Sequence, residues 1–160
     1  MKVLFALSIM LCFFVCCYFF KQNVTEEIHI LHKGFKGVVM IIQDDKNGLS
    51  IVKENGKTVF RIPENGILKT KTPLLPGSKN IKYYYEDKGN EQEIRYCWDC
   101  KKIFPNNDTI YVFSGSLGTY YGQGNKGIDF VTYLVCTQKQ TDSLSMILEK
   151  MKPSDIMQRQ

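Results

Sequence analysis

Residues 37–48 read GVVMIIQDDKNG, and this short stretch decides the fold of the 160-residue chain. Its first part, residues 38–42, is apolar at every position, which is typical of a β-strand covered on both faces. Its second part is polar and ends in Asn47 and Gly48, which readily adopt the positive φ angles of a tight hairpin turn. The stretch therefore predicts a buried strand followed by a reversal of the chain.

The chain on either side repeats this alternation of short extended runs and turns. Asn55 and Gly56 give a second hairpin signal, and an earlier run places Ile28 and Ile30 on one face. Turn signals recur about every 8–12 residues, a spacing expected of a sandwich or barrel. The predicted strands span residues 27–32, 38–42, 50–53, 57–62, 66–70, 80–86, 92–97, 109–113 and 128–136.

One helical pattern stands near the C-terminus. Asp142 or Thr141 can cap its start, and Pro153 ends it. Its apolar positions follow the i, i+3, i+4, i+7 spacing of an amphipathic helix: Leu144, Ile147, Leu148 and Met151.

These elements predict an all-β fold, a single β-sandwich-like domain with a short C-terminal helix, preceded by an N-terminal apolar helix. The length of the chain favours one domain. The expected organisation is a signal or anchor segment, a linker, a β-rich domain and a flexible tail, at residues 1–21, 22–26, 27–152 and 153–160.

The N-terminal segment indicates a membrane or an export route. Residues 3–20 carry no charge, and Lys21 ends the run. About 20 apolar residues span a bilayer, so this run sits at the lower limit. It is longer than the hydrophobic region of a secretory signal and lacks a small-x-small cleavage site. We expect a protein of the bacterial cell envelope, held by an inner-membrane anchor, lipidated or exported.

Lipidation would require a cysteine in this segment, and Cys16 and Cys17 are the candidates, with Cys12 further upstream. Lipoprotein signals place a small residue before the modified cysteine. Here Val15 and Cys16 occupy those places, so the pattern departs from that of a lipoprotein, and an uncleaved anchor remains an alternative.

The charge of the chain argues against nucleic acid as a partner. Lysine and arginine number 21 against 16 acidic residues, a net charge of +5, and the two signs are interleaved. A nucleic-acid-binding domain usually concentrates its basic residues in a stripe. The expected partners are the membrane, through residues 3–20, and another envelope protein or a glycan.

Cys97 and Cys100 form the most distinctive local motif, and it has three possible interpretations. A zinc site would need four ligands. Besides this pair, the cysteines and histidines outside the leader are Cys136, His29 and His32, all far away in sequence. A redox pair of the thioredoxin type should open a helix, which Pro105 opposes. A structural disulfide, between Cys97 and Cys100 or between one of them and Cys136, fits an oxidising envelope compartment. We favour the disulfide and keep thiol-redox chemistry as the alternative, with metal binding third.

The glycine-rich segment 115–127 contains a literal G-x-G-x-x-G at residues 122–127. A dinucleotide site requires those glycines to open a helix, whereas residues 128–136 predict a strand, so no cofactor is expected. We interpret the segment as a flexible surface loop. Such loops often carry contacts to ligands or partners, and the candidate residues are Gly115, Tyr120, Tyr121, Gly122 and Gly124.

No catalytic constellation emerges from the remaining residues. His29 and His32 are three apart, so on a strand they point to opposite faces and cannot easily share a metal. The many tyrosines are expected to fill the core of a sandwich more often than to form a binding face. The sequence therefore predicts no enzyme, no catalytic residues and no metal site.

Three pieces of sequence resemble a domain-of-unknown-function family of exported and lipid-anchored envelope proteins of Gram-negative bacteria. They are residues 34–39 (GFKGVV), residues 60–70 (FRIPENGILKT) and the tyrosine run at 83–85. The specific piece is Ile-Pro-x-x-Gly-x-Leu-x-Thr. The chain departs from the pattern at His32 and Lys33, where the family tends to have Ile-Pro, and in carrying Cys97 and Cys100. The resemblance implies compartment and fold, and no activity. The expected function is a non-enzymatic binding or structural module.

Overall fold

The computed structural model describes residues 25–74, 79–98, 108–121 and 127–157. The predicted N-terminal apolar helix, with Cys16 and Cys17, lies outside these residues. The described part confirms the predicted fold class: two mixed five-stranded sheets with a short C-terminal helix. The strands are β1 (Thr25–His32), β2 (Gly37–Ile42), β3 (Val52–Glu54), β4 (Lys57–Arg61), β5 (Ile67–Lys69), β6 (Lys79–Asp87), β7 (Asn90–Ile94), β8 (Tyr96–Cys97), β9 (Tyr111–Tyr121) and β10 (Gly127–Cys136).

The first sheet has the order β3-β4-β1-β6-β7. Its central strand β1 runs parallel to both neighbours, β4 and β6. The outer strands β3 and β7 close antiparallel hairpins. The β3–β4 hairpin turns at Asn55 and Gly56, both at positive φ, as the sequence predicts.

The second sheet has the order β5-β2-β10-β9-β8. Strand β2 lies between β5, to which it is parallel, and β10, to which it is antiparallel. The hairpin expected at Asn47 and Gly48 is therefore wrong: β2 does not pair with the next strand, β3, which belongs to the other sheet. Residues 43–51 instead carry the chain between sheets, with the positive φ at Asp44.

The main core lies between the two sheets. Both contribute alternate residues, because successive side chains of a strand point to opposite faces. The buried members are Leu31, Phe35, Val39, Ile41, Phe60, Ile62, Leu68, Tyr83, Tyr85, Ile94, Val112, Tyr133 and Val135. Tyr83, Tyr85 and Tyr133 thus fill the core as predicted for aromatic residues, whereas Trp98 and Tyr121 are exposed.

A second apolar layer covers the outer face of the second sheet. After a 3₁₀ turn at Gln138–Gln140, helix α1 (Thr141–Lys150) packs Leu144 and Leu148 against Val38 and Leu134. Strand β2 is therefore covered on both faces, which is why residues 38–42 are uniformly apolar. Ile147, predicted on the packed face of the helix, is exposed instead.

Strand β1 and the C-terminal residues depart from expectation. Strand β1 begins at Thr25, inside the predicted linker 22–26, because it pairs with β6 from its first residue. Residues Pro153–Met157, expected in a flexible tail, form a short helix, α2. In β1, Ile28 and Ile30 share a face, but the face turned toward the second sheet carries Glu27, His29 and Leu31.

Candidate functional site

Most of the predicted glycine-rich loop is a strand. Residues 115–121 belong to β9 and pair with β10, so the surface-loop interpretation is wrong for them. At Gly115 the register shifts between Val131 and Tyr133, as in a β-bulge. A Cβ at Gly115 would collide with the backbone carbonyl of Thr132, so glycine is required there by close packing.

The other contact residues predicted in that segment fall into a described pair and an undescribed pair. Tyr121 is exposed and Tyr120 is partly buried, both at the far end of β9. Gly122 and Gly124 lie outside the described residues, so their proposed contact role stays a prediction. Gly127 begins strand β10, which confirms the strand predicted after the glycines.

The cysteines within the described ranges are Cys97 and Cys136. Cys136 is a free thiol with no exposed surface, and burial raises its pKa to about 11. Cys97 is buried beside Tyr111, with Phe113 packed against both. Of the two predicted disulfide partners of Cys97, Cys136 is free, and Cys100 lies outside the described residues.

The two histidines point to opposite faces of β1, as the sequence predicts. His32 is exposed, whereas His29 is 2 % exposed and lies in the core. Within the described ranges, no group of three His, Cys, Asp or Glu residues could hold a metal ion.

A cavity of about 270 Å³ opens between the sheets, at the end where β1 and β6 begin and β2 ends. Its wall is mostly apolar, and its polar residues come from β1, the start of β6 and the residue after β2. The lining comprises Glu27, His29, Ile41, Gln43, Phe60, Leu74, Lys79, Ile81, Leu117 and Val131. An adjoining cleft of about 470 Å³ shares Glu27, Gln43, Phe60 and Lys79 with it.

A series of polar contacts leads from Lys79 at the cavity wall into the core and joins the two sheets. The Nζ of Lys79 lies 2.7 Å from Oε1 of Glu27. Oε2 of the same carboxylate lies 3.7 Å from Nε2 of His29, which is too long for a hydrogen bond. On the other side of the ring, Nδ1 of His29 lies 3.1 Å from the hydroxyl of Tyr133.

The ionisation of these groups follows from burial and from their neighbours. Burial raises the pKa of Glu27, but the contacts with His29 and Lys79 outweigh it, and the pKa is lowered overall. Burial lowers the pKa of His29 more than Glu27 raises it, so the imidazole is neutral at pH 7. Burial also holds the pKa of Tyr133 well above its ordinary value. The site therefore contains one ion pair, one neutral imidazole and one neutral phenol.

Two buried polar atoms of the site have no hydrogen-bond partner, Nε2 of His29 and Oε1 of Gln43. Gln43 is 4 % exposed, and its backbone is fixed by a 2.9 Å hydrogen bond to the carbonyl of Asp129. Buried polar groups are nearly always paired, so each exception calls for an explanation. Both residues line the same cavity, but the two atoms themselves have almost no accessible surface, so a bound molecule would reach them only after a shift of the side chains.

The sequence contains a signal for this site outside the predicted site residues. The informative spacing is the two positions from Glu27 to His29, not the three from His29 to His32. Glu27 and His29 alternate with Ile28 and Ile30, so one face of β1 is polar and the other apolar. On a strand with Leu31 in the core, that polar face is turned inward.

No helix within the described ranges is long and apolar enough to cross a bilayer.

No curated protein matches the sequence. Among solved structures, the chain is similar to the crystal structure of a candidate lipoprotein from Bacillus anthracis, with a TM-score of 0.59 and 19 % sequence identity. The match covers 86 % of this chain and 94 % of the other, and it concerns the fold. The model of a family of unknown function, DUF6843, matches residues 23–144, most of the chain, and the chain therefore belongs to that family.

Proposed function

We propose that the protein is a non-enzymatic binding module of the bacterial cell envelope and that the cavity between its sheets is the ligand site. The observation that carries this proposal is that His29 and Gln43, whose Nε2 and Oε1 atoms are buried without a partner, both line one largely apolar cavity. Leaving a buried polar atom unsatisfied costs about 1–3 kcal/mol. A ligand that completes both hydrogen bonds recovers that cost on binding.

The lining of the cavity favours binding over catalysis. Its described residues include no serine, threonine or cysteine that could act as a nucleophile. Serine, threonine and cysteine are the nucleophiles that a neighbouring base activates, and the potential nucleophile Lys79 is ion-paired with Glu27. His29 is the available base, and Glu27 is already neutralised by Lys79. These groups can orient a bound molecule through hydrogen bonds.

Native mass spectrometry of the full-length protein, extracted from its own membranes in mild detergent, tests the site. The wild type should retain a small molecule that Val131→Phe, which fills the cavity wall, loses. Val52→Phe is the matched control, because Val52 is exposed and does not line the cavity. Equal retention by both variants would place the ligand elsewhere and contradict the proposal.

The envelope location rests on residues 3–20, and the resemblance in fold to a candidate lipoprotein supports it. We propose that these residues hold the β-rich domain at the membrane, either as an uncleaved anchor or through a lipid on Cys16 or Cys17. Deleting residues 1–21 should release a folded, soluble domain on cell fractionation. Cys16→Ser with Cys17→Ser should release it only if a lipid is the anchor. A truncated form that stays insoluble and unfolded would contradict the proposal.

We propose that Cys97 forms a structural disulfide with Cys100. The other cysteine of the described residues, Cys136, is a free buried thiol, so it is not the partner. The loop closed is short, so the crosslink restricts few unfolded conformations and stabilises by at most about 2 kcal/mol. Cys97→Ser with Cys100→Ser should lower the melting temperature modestly and leave localisation unchanged. Loss of a thiol-exchange activity at unchanged stability would favour the redox alternative.

A further inference from the structure

We propose that the ligand of the cavity is an uncharged, largely apolar molecule of about ten heavy atoms that carries one hydroxyl or carboxamide group. This inference rests on the proposed function, that the cavity binds a ligand. It follows from the unpartnered polar atoms of two residues that line the cavity, from the charges already paired there and from the space available.

The polar atoms offer one donor and one acceptor. The negative charge of Glu27, 3.7 Å from Nε2 of His29, favours the tautomer with its hydrogen on Nε2. Nδ1 then accepts the hydrogen bond of the Tyr133 hydroxyl. The free Nε2–H can donate, and Oε1 of Gln43 can accept. A hydroxyl or carboxamide group both accepts and donates, so one such group matches one donor and one acceptor.

The charges of the site exclude a charged ligand. Glu27 and Lys79 neutralise each other at 2.7 Å, and His29 and Tyr133 are neutral. A carboxylate or an ammonium entering the cavity would therefore find no free counter-charge among the described residues that line it. Burying an unpaired charge is far more costly than burying a hydrogen-bonded neutral group.

The rest of the cavity wall determines the size and the apolar character of the ligand. Ile41 and Phe60 are almost fully buried, and Ile81, Leu117 and Val131 complete the apolar surface. One water occupies about 30 Å³ in the liquid, so a cavity of about 270 Å³ has room for about nine waters, or for a ligand with a similar number of heavy atoms.

A matched series of probes tests this inference on the folded protein: benzyl alcohol, benzamide, benzoate, benzylammonium and toluene. Binding would be followed by NMR titration, with the His29 imidazole resonances reporting occupancy. Benzyl alcohol and benzamide should bind about tenfold more tightly than the other three. Gln43→Met removes one of the two polar contacts and should reduce the preference of benzamide over toluene, whereas Gln92→Met, at an exposed position on β7, should leave it unchanged.

Any other result of the probe titrations contradicts a specific part of the inference. If toluene binds as tightly as benzamide in the wild type, the cavity is a binding site but the inferred polar group is wrong. If benzoate or benzylammonium binds more tightly, the ligand is charged and the inference fails. If no probe moves the His29 resonances up to its solubility limit, the cavity is not a ligand site, and the proposed function itself fails.

Discussion

Replacing Lys79 by methionine would remove the cation that neutralises a buried carboxylate. The side chains of Glu27 and Lys79 are 11 % and 18 % exposed, with 2.7 Å between Oε1 and Nζ. Removing one partner of a fully buried pair costs about 3–5 kcal/mol, because the remaining charge is left uncompensated. Some water reaches this pair, so we expect Lys79→Met to lower the free energy of unfolding by about 3 kcal/mol at pH 7.

The chain offers a matched control on the same strand. Glu26 pairs with Lys57 at 3.0 Å, but those side chains are 47 % and 39 % exposed. Exposed ion pairs contribute about 0–1 kcal/mol, so Lys57→Met should cost at most about 1 kcal/mol. The difference between the two variants isolates the effect of burial from that of removing a lysine.

Urea unfolding of the wild type, both lysine variants and a Glu27→Gln, Lys79→Met double variant measures these energies. The double variant should recover part of the loss, because no unpaired charge remains. The pKa of Glu27 is lowered in the folded protein, so the pair stabilises above pH 4.5 and this contribution is lost as the pH falls through the folded pKa. If Lys79→Met lowers the free energy of unfolding no more than Lys57→Met, burial does not strengthen the Glu27–Lys79 pair and the reasoning is refuted.

Three further predictions concern the same domain. The folded pKa of His29 lies below 6.5, so the unfolded chain binds the proton first and stability should fall below pH 6.5 by at most about 1.4 kcal/mol per pH unit; urea midpoints of His29→Gln should lack this component. Gly115→Ala should cost more than about 2 kcal/mol by thermal unfolding because its Cβ meets the Thr132 carbonyl, whereas Gly118→Ala, with ordinary contacts, should change stability by about 0.5 kcal/mol or less. Cys136 should resist iodoacetamide at pH 8 until the protein is unfolded, as peptide mapping would show, and equally fast labelling in the native state would contradict its burial.

The strands were predictable from the sequence because their signals are local. The uniform apolar run at residues 38–42 and the Asn55-Gly56 turn depend only on neighbouring residues, and both predictions are confirmed. The pairing of strands was not predictable. Strand β1 lies between β4 and β6, and β2 lies between β5 and β10. These choices depend on contacts between residues far apart in sequence, which no local pattern reveals.

The glycine-rich segment shows how tertiary context overrides composition. Glycine and serine at residues 114–118 are typical of a loop, yet the segment is a strand because β10 supplies its hydrogen-bond partners. The hydroxyl of Thr132 accepts from the backbone nitrogen of Ser116 at 2.9 Å and donates to its carbonyl at 3.2 Å. These bonds secure the bulge, and they involve a residue sixteen positions away.

The bulge also links Gly115, a predicted contact residue, to the cavity between the sheets. A β-bulge bends its strand and increases the local twist. The bulge at Gly115 adjoins the Leu117–Val131 pair, the first paired residues beyond it, and both line the cavity. Strand β2 has already ended at Ile42, opposite Phe130, so β9 and β10 continue past it. The cavity therefore lies where one strand stops and a bent pair continues, and Gly115 acts on the site by shaping the strand that supplies Leu117.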